Sequence, residues 1–323
     1  MGRFIVRRLL EGLAIVALVA ALTFALIHLA PGDPFADALA DTRLSDAARA
    51  RMRAAWGLDR PPLTQFAQWM ASTARGDLGI SIQHNRPVRD VLRSVLPPTL
   101  LLMGTALFVS LVAGMALGVA QAARAGSRFD RWGTRISLFL ASLPDFWLAL
   151  FLLLALGYWL PVFPVGGMQD AVMAPYRGTV ARAVDVARHL VLPALTLALL
   201  ATPTVARYQR AAMLDVMPDD WIRTARAKGL SERAVIYRHA LRNAIAPVIT
   251  LTGLALPALL GGAVFVETVF AWPGMGRTAV GAVAARDYPL VMACTMIGGV
   301  LVVIGGLCAD LAQRALDPRV DAA

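Results

Sequence analysis

Apolar residues in this chain gather into long runs, far longer than the short clusters of a soluble core. Six runs stand out, at residues 12–30, 99–123, 136–160, 190–206, 244–266 and 288–309. Crossing a hydrocarbon layer of about 30 Å takes about 20 helical residues at about 1.5 Å each, so each run predicts a transmembrane helix. The third carries one acid, Asp145; the fourth is short and holds Pro193 and Pro203; the fifth holds Pro247 and Pro257. The expected fold is an all-α polytopic membrane protein with six transmembrane helices.

The segment between the first two runs has a different pattern. The PGDP sequence (Pro31–Pro34) stops the first helix, and Ser45 is placed to cap a helix through about Trp56. A second helix starts near Pro62, with Leu63, Phe66, Ala67 and Met70 on one face. A glycine-punctuated turn follows at Arg75–Ser81, and a short helix with Val88, Val91, Leu92 and Val95 on one side leads into the second run. Residues 31–98 therefore read as a helical cap outside the membrane. It stands between residues 1–30 (tail and first helix) and residues 99–316 (a five-helix core), with a tail at 317–323.

Composition supports the membrane reading: 58% of residues are hydrophobic, 16% are charged, and mean hydropathy is +0.63. The net charge of +10 is mainly topological. Arg3, Arg7 and Arg8 precede the first run, and Arg124, Arg128, Arg131 and Arg135 lie between the second and third. Eight Lys/Arg fall between Arg207 and Arg242, and Arg314 and Arg319 follow the sixth run. These are alternate loops, so the excess of positive charge on the inner side places them, with both termini, in the cytoplasm. The nine arginines of residues 31–97 lie in a loop too long for that rule to count. A nucleic-acid partner is not needed to explain the charge. Cys294 and Cys308 share one run, about 21 Å apart on a helix, out of disulfide reach.

The most unusual segment is 221–247, WIRTARAKGLSERAVIYRHALRNAIAP, within a loop spanning 207–247. Asp219 or Asp220 can cap a short first helix, and Arg223, Arg226 and Lys228 crowd toward its C-terminal end, where positive charge is favoured. Gly229 stands where a left-handed residue turns the chain, and Ser231 can cap a second helix. On that helix Ala234, Tyr237, Leu241, Ala244 and Val248 make an apolar stripe, while Arg233, Arg238 and Arg242 stay polar. An amphipathic helix lying on anionic lipid is the plain alternative. Against it, the first helix is short and its caps project it away from the bundle.

The blocks RTARAKGL (223–230) and RHALRN (238–243) resemble the cytoplasmic coupling loop of binding-protein-dependent ABC importer permeases, in the dipeptide/oligopeptide branch and of the B type. HLAPGDP (28–34), WGLDRPPLTQFAQW (56–69), RGDLGIS (75–81), HLVLPALTLAL (189–199) and VETVFAWPGMG (266–276) resemble further parts of the same family, in order along almost the whole chain. The wider pattern has Glu-Ala-Ala beginning six residues before the glycine. Here Arg223, Thr224 and Ala225 stand there, and Arg242 replaces a frequent proline, as is typical of the peptide branch. The resemblance implies a permease of the bacterial inner membrane, with no cofactor of its own, pairing with a second homologous permease. Two ATPase subunits that bind ATP and Mg, and an extracytoplasmic solute-binding protein, complete the implied assembly. It also implies that Arg223, Thr224, Ala225, Ala227, Lys228, Gly229 and Leu230 insert into a cleft on an ATPase subunit. The small residues Ala225, Ala227 and Gly229 suit close approach.

What is missing agrees. The sole lysine, Lys228, has no glycine-rich phosphate loop before it, so ATP hydrolysis belongs to another polypeptide. No metal-ligand spacing and no nucleophile motif appears among the four histidines and the serines, which disfavours a membrane enzyme. Asp145 and Glu267 lie at or near membrane depth and are candidates for the translocation path; helix capping for Asp145, and water near the outer end of the fifth run for Glu267, are the plainer accounts. Gly253, Gly261, Gly262, Gly298, Gly299, Gly305 and Gly306 suggest close helix contacts. A secondary transporter is the competing class, but no inverted repeat is visible. For an importer of this branch the solute could be a dipeptide, a longer peptide, glutathione, a nickel chelate or a sugar.

Overall fold

The computed structural model describes residues 2–29 and 60–316, and these are almost wholly helical. The expected helix at Ser45–Trp56, the PGDP stop and the tail at 317–323 lie outside the described residues. Helix α1 (Gly2–Leu29) begins ten residues before its apolar run, and in that extension Arg7 and Arg8 both pair with Glu11 one turn on. Leu9, Leu13, Leu22 and Leu26 on it are exposed, as lipid-facing side chains are.

Helix α2 (Pro62–Ala74) starts where the sequence places it, with Pro62 in its first turn. The glycine turn then leads into a two-stranded hairpin, β1 (Ile80–Ser81) and β2 (Arg86–Pro87), which hydrophobic periodicity does not announce. Gly76 and Gly79 take φ of +83° and +80° there. The short helix expected after it is not separate. It is the first part of a continuous α3 (Val88–Ala122, 35 residues), which runs through Pro97 and Pro98. Val88, Val91, Leu92 and Val95 are nonetheless its buried face.

The third apolar run is not one straight span. Helix α4 (Arg128–Ala141) ends at Ser142, and α5 (Asp145–Leu152), extended by a π-helical stretch (Leu153–Trp159), leaves at 103°. Pro144 causes the break: it holds extended backbone (φ −65°, ψ 138°) and disfavours helix in the residue before it. Helix α6 (Thr179–Val216, 38 residues) instead carries Pro193 and Pro203 without breaking. Helix α7 (Asp220–Ala227) follows, then α8 (Glu232–Ala234), a π-helical turn (Val235–Ala240), α9 (Leu241–Ala244) and α10 (Ala246–Val269). Helices α11 (Met275–Ala284) and α12 (Tyr288–Leu316) complete the described chain. Among the described residues α1, α3, α6 and α12 are long and apolar enough to cross a membrane; α4 and α5 pass that test only when the bent pair is counted as one span.

The chain forms two compact units, Met1–Pro97 with Arg277–Val303, and Pro98–Gly276 with Ile304–Ala323. In the first, Asp287 is fully buried; it accepts from the hydroxyl of Ser81 and the backbone N–H of Gln83 (3.0 Å), and caps α12 through Leu290 N–H (3.3 Å). In the second, one core gathers Leu102, Met103, Ala149, Leu192, Leu197, Val266, Phe270 and Trp272. Another gathers Val119, Ala122, Met213, Ile222, Val235, Ala240 and Ala244. Close helix packing here comes from glycines that the sequence reading passes over. A Cβ on Gly118 would sit 2.5 Å from the Ala206 carbonyl oxygen, and one on Gly114 2.5 Å from Val205 Cβ. By contrast, Gly298 and Gly306 face open space and Gly299 meets only ordinary contacts, near Val16 and Val19. The expected tight contacts at those positions are therefore not made among the described residues.

Candidate functional site

The segment 219–244 forms the hairpin that its sequence encodes, with some of its side chains reassigned. Asp219 occupies the N-cap position of α7 with extended backbone, but its side chain does not cap. Its carboxylate instead accepts from Trp221 Nε1 at 3.0 Å. At the other end Gly229 (φ +79°) donates to Arg226 O at 2.9 Å, and Leu230 donates to Ala225 O at 3.4 Å. This pair of bonds closes the last turn around a left-handed residue. Ser231 Oγ then accepts from Ala234 N–H (3.4 Å), and Glu232 accepts from Arg226 Nε (2.8 Å) across the turn. The two short helices are thus tied to each other from both sides of Gly229.

The hairpin has an anchored face and a free one. Ile222 and Ala225 are buried against Met213, Val235 and Ala240 of the same chain. Ala225 therefore faces inward, contrary to the expectation that it offers a small surface to a partner: it lies on the same helix face as Ile222, three residues before it. Arg223, Thr224, Arg226, Ala227, Lys228, Gly229 and Leu230 are exposed. Among the described residues Arg223 pairs only with exposed Asp220 (3.4 Å), a contact of little energetic weight.

The second arm also differs from its helical-wheel reading. Tyr237, placed on the apolar stripe by 3.6-residue periodicity, is exposed, and Val235 takes the inward place. The π turn from Val235 to Ala240 supplies the reason. It inserts an extra residue per turn, so the buried positions run Val235, Ala240, Ala244 and Val248, spaced five, four and four. Gln209, fully buried on α6, donates to Ala244 O at 3.2 Å and fixes this arm to α6.

Beside the hairpin, α4 is clasped to α6 by an ion pair that sequence reasoning misses. Arg210 Nε and Nη2 reach Asp130 Oδ1 and Oδ2 at 2.7 and 2.8 Å, and Asp130 Oδ2 also accepts from Gly126 N–H at 2.9 Å. A signal existed: Ser127 and Asp130 have the spacing of a capping box, and Ser127 Oγ accepts from Asp130 N–H. Its long-range partner, 80 residues away, left no local trace.

Of the two membrane-depth acids, Asp145 begins α5 and makes no cap bond; Pro144 holds the N-cap position. Glu267 is not near water but completely buried. Its Oε1 accepts from Thr99 Oγ1 at 2.6 Å, and that oxygen in turn accepts from Met275 N–H at 2.7 Å. A Cβ on Gly274 would fall 2.1 Å from the Glu267 carboxyl, so only glycine lets the 270–275 turn close over it. Trp272 adds bonds to Glu267 O (2.8 Å) and Pro98 O (3.0 Å). The sequence places Glu267 at a helix end and therefore at the interface; the folded turn shields it.

These features define a polytopic helical membrane protein with an anchored, outward-facing basic hairpin. Residues 110–322 match the family described as the binding-protein-dependent transport system inner membrane component, and residues 1–103 match its N-terminal region. The chain belongs to this family. It is the membrane component of an ABC-type system, in which the ATPase is a separate subunit, and a multi-pass protein of the inner membrane. The chain is 39% identical to the oligopeptide transport system permease protein AppB of Bacillus subtilis over 322 residues, 99% of this chain and 100% of that one. It is 37% identical to the di/tripeptide transport system permease protein DppB of Pseudomonas aeruginosa (98% of each chain). With the dipeptide permease DppB of Escherichia coli it shares 34% (99% of each). Its fold is similar to a chain of the MetNI methionine ABC transporter in inward-facing form, with a TM-score of 0.53 and 19% identity over 70% of this chain and 95% of that one.

Proposed function

We propose that this chain moves di- or oligopeptides across the inner membrane, and that the exposed face of α7 is the surface through which a cytoplasmic ATPase subunit drives it. The observation that carries the coupling role is the division of the hairpin. One face is buried in the chain's own core, while Arg223, Thr224, Ala227, Lys228, Gly229 and Leu230 face outward. A short helix fixed by a glycine turn, a serine cap and an ion pair moves as a unit with α6 and the second arm. Coupling between two sites requires such an element with two positions. Charge distribution favours a cytoplasmic location for the hairpin and both termini.

The peptide assignment rests on the names borne by relatives aligned over the whole chain length. In this account the assembly contains a second permease, two ATPase subunits and an extracytoplasmic binding protein. Glu267 acts as the keystone of the 270–275 turn and not as a substrate ligand; Asp145 marks the break between α4 and α5. Reconstitution with the partner subunits tests the function. Labelled di- and oligopeptides should accumulate in vesicles only with ATP and binding protein. Uptake that follows an ion gradient without ATP would sink the proposal.

A further inference from the structure

Helix α4 is amphipathic in the opposite sense to a soluble helix. Its protein-facing side is polar or small: Asp130 and Ser137 are buried, and Gly133 and Thr134 lie between them. Its exposed side is apolar, with Phe129, Trp132, Ile136 and Phe139 at 42%, 60%, 55% and 62% exposure. At about 100° per residue, Arg128, Arg131 and Arg135 form a third stripe, about a quarter turn from the aromatic one. None of these three arginines, nor Arg124 just before the helix, makes an ion pair with a carboxylate among the described residues, although Arg131 lies within electrostatic reach of its neighbour Asp130, whose carboxylate is taken by Arg210. Arg124 instead lies over the Phe129 ring and Arg135 over Trp132, both at 5.2 Å.

The bend fixes how this helix meets the bilayer. With α5 as the crossing arm, a helix leaving at 103° runs along the membrane plane. One side of α4 is then held to α6 by the Asp130–Arg210 clasp, and a second side is an apolar face suited to acyl chains. The third is a row of guanidiniums at headgroup level, none of them ion-paired to a carboxylate among the described residues. Tryptophan and arginine are the side chains that favour this layer. We infer that α4, with Arg124, forms a binding site for anionic phospholipid headgroups. The site lies at the end of α6 that carries the hairpin, because Val119 and Ala122 of α3 share a core with Met213 and Ile222. The inference does not depend on what the hairpin docks against.

The test uses the full-length chain, purified with its accompanying subunits, in nanodiscs of phosphatidylcholine and phosphatidylglycerol with one or the other lipid brominated. Subtracting the fluorescence of Trp132→Phe isolates the Trp132 signal. That signal should be quenched by both lipids, and more strongly by brominated phosphatidylglycerol than its mole fraction predicts. Each of Arg128, Arg131 and Arg135 changed to Gln should lower the preference about fivefold, the equivalent of roughly 1 kcal/mol for a basic side chain at an anionic surface. The corresponding Arg→Lys changes should keep most of it. Equal quenching by the two lipids overturns the headgroup site, as does a preference that survives the triple Gln variant. Quenching by neither lipid also overturns it and puts a protein surface over α4. The comparison of the two lipids needs only the wild type and Trp132→Phe, so poor folding of the triple mutant would not leave the inference untested.

Discussion

Replacing Gly229 isolates the backbone geometry of the hairpin from its packing. The residue sits at φ +79° with nothing within 4 Å of where a Cβ would be. A side chain here therefore collides with nothing in the chain, and the whole cost is the left-handed conformation. For an L-residue that is about 1–2 kcal/mol, with Val at the upper end because its branched Cβ is stiff. The two bonds that close the turn, from Gly229 and Leu230, open in proportion. A shift of 1–2 kcal/mol lowers the population of the closed hairpin relative to open forms by about 5–30-fold. Solute-stimulated ATP hydrolysis by the reconstituted assembly should fall several-fold in Gly229→Val. In Gly229→Asn it should stay near the wild-type level, because asparagine tolerates this conformation. The detergent melting temperature should change little for either. Wild-type coupling in Gly229→Val, or an equal defect in Gly229→Asn, would refute the backbone argument.

Three further outcomes follow from the packing. Gly274→Ala should lower the melting temperature sharply, because a Cβ there meets the Glu267 carboxyl; adding Glu267→Ala should cost less than the sum of the two single changes, and strict additivity would contradict the keystone role. Asp130→Asn or Arg210→Gln alone should cost about 3 kcal/mol in an unfolding titration, the low end for a buried pair because Arg210 is about one-third exposed; an Asp130→Leu/Arg210→Met double variant should recover part of the loss, and no recovery would argue against mutual pairing. Val235→Asp should destabilise strongly while Tyr237→Ser leaves the melting temperature nearly unchanged, and the reverse order would show that the second arm lacks its π turn.

The apolar runs are legible in the sequence because membrane thickness sets their length; most fall largely within one helix, while the third is split between α4 and α5. The hairpin is legible because its signals, Gly229 and Ser231, act within four residues. What escapes reading depends on distance or on shifted periodicity. Arg210 finds Asp130 only after α4 folds back on α6. Tyr237 leaves the core because a π turn changes the count that a helical wheel assumes. Glu267 is adjacent to the membrane surface in sequence, yet the Phe270–Met275 turn folds over it and excludes water. The bend at Pro144 lies between: proline signals a break, but not that the two arms diverge by 103°.

The central claim is that α7 presents one face to its own chain and the other to an ATPase subunit. A photoreactive amino acid at position 225 or 227 tests it directly, because Ala225 is buried and Ala227 exposed on the same helix. Irradiation of the assembled transporter should crosslink position 227 to the ATPase subunit, in a yield that changes with bound nucleotide, and position 225 only within the chain. Capture of phospholipid alone at position 227, in every nucleotide state, would contradict the account.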